Sequence, residues 1–78
     1  MPRYFFDTRD DGVLTVDTTG VVLPDRDRAR REAIRTLPYM AIDSLPDGPN
    51  REFSVEMRDE AGRSLFIAEL SFRSRWLG

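Results

Sequence analysis

Three groups of side chains in this 78-residue chain have types and spacings that could do chemistry. Asp7-Thr8-Arg9-Asp10-Asp11-Gly12 has part of a calcium-loop pattern, with Asp7 first, Asp11 fifth and Gly12 sixth. Arg9 stands where the third position needs an oxygen ligand, and Thr18 where the twelfth needs a bidentate glutamate. The stretch therefore reads as a solvated hairpin turn. Tyr4-Phe5-Phe6 could offer a platform for stacking nucleobases. Alternation along a strand, however, sends Tyr4 and Phe6 to one face and leaves Phe5 alone on the other, flanked by Arg3 and Asp7. Arg26, Arg28, Arg30, Arg31 and Arg35 could grip phosphates or an acidic partner through their guanidinium forks. Asp25, Asp27 and Glu32 are interleaved with them and lower the local field, as on a solvated helix face.

Composition removes most other chemistry. There is no Cys and no His, and all twelve basic residues are Arg. Disulfides, a thiol nucleophile, a Schiff-base lysine and the commonest zinc ligand and general base are thus absent. No glycine-rich phosphate loop is present. The expectation is a protein that is not an enzyme, with no cofactor, metal or small-molecule ligand. A net charge of −2 opposes the electrostatic footprint of a nucleic-acid binder, which makes nucleic acid the lesser expectation. No apolar run approaches the ~20 residues of a membrane span, and the N-terminus shows no signal-peptide core. A cytoplasmic protein without a membrane partner is expected. The length allows one domain, residues 1–78, with a small core. Oligomerisation is the stabilising device that the composition leaves open.

The elements follow from periodicity and turn chemistry. Arg3–Asp7 and Val13–Asp17 alternate as strands around the turn residues Asp10-Asp11-Gly12. Thr18-Thr19-Gly20 turns again, and Val21–Leu23 is an extended approach to a helix. Pro24 and Asp25 suit a helix entrance. Ala29, Ala33, Leu37, Met40, Ala41 and Ser44 share one side of that helix, and the arginines lie mostly opposite. Pro38 interrupts the hydrogen-bond pattern, yet the apolar period continues, which predicts a kinked helix ending near Ser44. Leu45–Asn50 is a loop. Glu52–Arg58 alternates strictly, Asp59–Gly62 is a hairpin loop, and Ser64–Arg73 returns with Phe66, Ala68, Leu70 and Phe72 on one face. The predicted fold class is α+β, ordered ββαββ, with a four-stranded, mainly antiparallel sheet and one amphipathic helix on one face. The favoured strand order is second, first, third, fourth; its rival exchanges the last two. The expected core is Tyr4, Phe6, Leu14, Val16, Leu23, Ala29, Ala33, Leu37, Met40, Ala41, Phe53, Val55, Met57, Phe66, Ala68, Leu70 and Phe72.

The combination of MPRYFFD, GVVLPD leading into ARREAI, LPDG and REFSVEMRDEAGR resembles a family of short, uncharacterised, mainly alphaproteobacterial proteins known only as a domain of unknown function. The resemblance covers nearly the whole chain and implies a stand-alone bacterial domain without assigned catalytic residues. In layout alone the chain is also similar to HicB-type antitoxins, with Phe5, Asp17 and the LPD at Leu23 in comparable places.

One helix cannot cover both faces of four strands. Glu52, Ser54, Glu56 and Arg58 suit a solvated face, but alternation also sends Phe5, Leu65 and Ile67 to the open side. If the first and last strands lie close, these three form an apolar patch, with Arg3 and Arg73 on its rim and Trp76 near the C-terminal end. Such patches mark contact sites. The expected function is a protein-interaction module, self-associating as a homodimer or binding a protein partner there. The alternative is an antitoxin-like or regulatory RNA-binding domain.

Overall fold

A computed structural model describes residues 2–45 and 48–78. Strand β1 (Arg3–Asp10) runs into the two-residue turn Asp11-Gly12 and returns as β2 (Val13–Thr15). Both turn residues have positive φ, 52° and 90°, the backbone of a type I′ hairpin that matches strand twist. The chain then swings back to β1, where β3 (Val21–Val22) pairs with Arg3 and Tyr4. What reads in the sequence as an approach to the helix is thus a short fifth strand.

Helix α1 (Arg26–Ser44) is capped by Asp25, whose side chain accepts from the Arg28 N–H at 2.8 Å. It continues through Pro38 to the predicted end. Its buried residues, Ala29, Ala33 and Leu37, have short or flexible side chains that let it sit close to the sheet. Of the expected loop before the last hairpin, Pro46 and Asp47 lie outside the described residues. β4 (Asn50–Arg58) and β5 (Ser64–Arg73) follow. Between them Asp59 organises the loop, its Oδ1 accepting from the Ala61 and Arg63 amides at 2.9 Å each.

All pairings are antiparallel, and the sheet has the order β2-β1-β4-β5, with β3 beside β1. This is the favoured order, with one strand more than expected. The helix lies over β4 and β5. Its side of the sheet supplies Tyr4, Phe53, Val55 and Met57, which join Leu23, Ala29, Ala33 and Leu37 in the core. Phe6, Met40, Ala41, Phe66 and Ala68 pack partly buried against that core.

Four expected core residues are outside it, and Phe72 among them is half-buried at the end of β5. Leu14 is 46% exposed, Val16 52% and Leu70 38%. A two-residue turn forces Asp10 opposite Val13, so Leu14 pairs with Arg9 and takes the face away from the helix. Val16 lies beyond the end of β2. Leu70 is on the outer strand, with a neighbour, Phe53, on one side only.

Candidate interaction surface

The sheet face away from the helix is built from Phe5, Asp7 and Arg9 of β1, Ser54, Glu56 and Arg58 of β4, and Ile67 and Glu69 of β5, paired across in register. Its centre is a charge network. The Arg58 guanidinium donates to both Asp7 oxygens, at 2.6 and 3.1 Å, and to the Asp17 carbonyl at 3.0 Å. Asp7 in turn accepts from the Asp17 N–H at 2.9 Å. The bond from Arg58 holds the Asp7 carboxyl below the usual carboxylate range, against the opposing effect of burial.

Asp17 occupies the gap between β2 and β3, where that edge of β1 has no strand beside it. Its Oδ2 accepts from the Phe6 N–H at 3.0 Å, and Oδ1 from the Thr19 and Gly20 amides at 3.0 Å each. Burial alone would raise its pKa, but these amides outweigh it and the net direction is down. Gly20, at φ 70°, admits this turn; a Cβ there would stand 2.9 Å from the Tyr4 carbonyl oxygen. Sequence reasoning gave neither Asp17 nor the Asp7–Arg58 pair a role. An Asp two residues before Thr-Gly, a side chain able to close its own turn, was the signal to find.

The structure places the six expected interaction residues as follows. Phe5 is on the open face, half-buried, with Arg58 stacked 5.1 Å from its ring centre. Ile67 is on the same face and 52% exposed. β4 lies between them, so β1 and the last strand are not neighbours, and Glu56 and Arg58 separate the two apolar side chains. Leu65 is not on the open face. The register slips between Met57 and Arg58, leaving Leu65 as an extra residue on β5; this bulge re-aims it onto the Tyr4, Leu23, Ala29 and Met57 cluster. Arg3 is tied inward, its Nη1 donating to the Thr19 carbonyl at 3.0 Å. Arg73 ends β5, exposed, and Trp76 is 95% exposed in the tail beyond. The single patch predicted from alternation is therefore divided by charge.

The outer edge of β5 offers a different surface. β5 is ten residues long and has a ladder partner, β4, on one side only. The Ser74 N–H donates to the Pro49 carbonyl at 2.7 Å. By alternation, Phe72, Leu70 and Ala68 also bond toward β4, while Ser71, Glu69 and Ile67 direct N–H and C=O outward. Between Leu65 and Phe72 this edge has one charged residue, Glu69, and no Pro or basic residue; of the common devices against unwanted pairing it has that charge and the bulge at Leu65.

On the helix, Arg28 and Arg35 pair with Glu32, and Arg30 and Arg31 pair with Asp27, at 3.1–4.0 Å. Among the described residues, no group of three or more acidic side chains could hold a metal ion, and no helix is long and apolar enough to cross a membrane.

An open antiparallel sheet of this kind, with one helix and an outermost strand paired on one side, defines a small α+β domain. The chain belongs to the family described as Domain of unknown function (DUF6894), which it matches over residues 3–71. No curated protein and no solved structure matched it.

Proposed function

We propose that this domain is a cytoplasmic protein-interaction module that acts by adding a partner strand to β5. One observation carries the proposal: the ten-residue strand β5, bulged at Leu65 near its start, has a ladder on one side only. A strand added there gains main-chain hydrogen bonds along the edge, and alternate side chains supply specificity. The pairing of the helix arginines with Asp27 and Glu32 favours this over the RNA-binding alternative, because those cations already have local partners.

The test is in-cell photocrosslinking in the native host, with benzoylphenylalanine in place of Ser71. A covalent protein adduct is expected. Glu69→Pro should abolish it, because the Glu69 N–H points outward and its loss leaves the β4 ladder intact. The same probe at Arg35, on the exposed helix face, should give no adduct. Absence of any β5 adduct, or RNA binding by the purified chain that weakens steeply with salt, would reverse the ranking.

A further inference from the structure

We infer, building on the edge-pairing function above, that the strand added to β5 is β5 of a second copy, paired antiparallel about a two-fold axis at Ala68. Antiparallel pairing of identical strands within one sheet needs an axis normal to that sheet. The side-chain faces then match, and both helices lie on the same side. The longest overlaps of Ser64–Arg73 with itself are centred on Ala68 or on Glu69, and both carry the Leu65 bulge at their ends. A Glu69 centre sets two carboxylates directly opposite each other, which destabilises paired strands. An Ala68 centre sets two small side chains face to face at the closer, non-hydrogen-bonded spacing. Phe66 then lies opposite Leu70 on both sides of the axis, giving the 38% exposed Leu70 the apolar neighbour it lacks. Ile67 faces Glu69, and both have outward N–H and C=O groups ready to form the new ladder.

The helix agrees with this assignment. β3 and β4 both run antiparallel to β1 and so parallel to each other. α1 is therefore a crossover between parallel strands, a connection that is right-handed almost without exception. That hand turns the flank of Ile34, Pro38, Ala41 and Leu45 toward β5, and the flank of Glu32, Thr36 and Asp43 toward β1. The apolar flank thus looks across the axis, where the second helix would lie. The same register carries the tail beyond Arg73, with its exposed Trp76, toward the partner's Asp59–Gly62 hairpin loop.

Two variants at one exposed position test the register. Ile67→Glu places glutamate opposite Glu69 twice, whereas Ile67→Lys places an opposite charge there. Sedimentation velocity across a concentration series should show a wild-type dimer. Ile67→Glu should weaken it about tenfold or more, and Ile67→Lys should leave it as tight or tighter. Emission from Trp76, the only tryptophan, should shift to the blue as the wild-type dimer forms. Equal weakening by both variants would overturn the register and point to apolar packing of the open face. A wild type that stays monomeric at high micromolar concentration would overturn self-pairing. The crosslink at position 71 keeps the two proposals distinct: an adduct of foreign mass sustains edge pairing while self-pairing fails, and no adduct ends both.

Discussion

Asp17 fills a rung of the sheet with a side chain. Where β2 has ended and β3 has not begun, its carboxylate takes the Phe6 N–H that a neighbouring strand would otherwise accept. Asp7 and Asp10 are similarly committed. Asp10 is held low first by the Arg51 guanidinium and then by the Ser44 hydroxyl, which tie the end of the helix to the sheet. All three carboxyls have pKa values lowered from an ordinary 3.8. They bind protons more weakly in the folded chain than in the unfolded one. The stability they contribute is therefore complete above the unfolded value and is lost as pH falls through the folded values. The urea midpoint should be nearly level from pH 7 to about 5 and fall steeply below about 4. Asp17→Ala should cost about 1–3 kcal/mol at neutral pH by leaving the Phe6 amide unpaired. It should also make the acid limb shallower, and an acid limb identical to that of the wild type would refute this role for Asp17.

At the scale of elements, α1 shows how packing can override a local breaker. Pro38 gives up the bond to Ile34, yet Ala33 and Leu37 before it and Met40 and Ala41 after it lie against the same cluster. Both halves are anchored, so the helix persists. Pro38 is itself exposed; replacing it with Ala should raise stability by about 1–3 kcal/mol, read as a higher urea midpoint with unchanged slope. A lower midpoint would mean that the proline ring has a packing role. Strict alternation made β4 and its buried Phe53, Val55 and Met57 readable, and Asp25 and the small-residue face made α1 readable. The phase of β2 was readable too, had the two-residue turn been used to place Val13 opposite Asp10. Leu65 was not readable, because the bulge that turns it inward depends on the register against β4, whereas Phe66 and Ile67 take the faces that alternation assigns them. The apolar patch lost Leu65 to that bulge and was divided by Glu56 and Arg58 of the strand between Phe5 and Ile67. The edge of β5 belongs to a different kind of information, since which strand is outermost depends on tertiary order and not on the strand's own residues.

For the molecule as a whole, the order β2-β1-β4-β5 puts the N-terminal strand inside the sheet, its inner edge satisfied only by β4. Phe5 meets Arg58 and Asp10 meets Phe53, pairings between distant parts of the chain. Closing such long loops before their contacts form makes folding slow for the size. The Ile67→Glu variant, chosen to keep the chain monomeric, should refold in a single phase on a scale of milliseconds to seconds in stopped-flow far-ultraviolet circular dichroism. Refolding within tens of microseconds would show that local hairpins dominate instead. There is a consequence for synthesis. The ribosome makes Tyr4-Phe5-Phe6 before Phe53–Arg58, and the strand they belong to waits on that inner edge until the later segment has been translated. A message cut short ahead of that point encodes a hairpin and a helix with no sheet to cover, a product for proteases and chaperones rather than a smaller version of the domain.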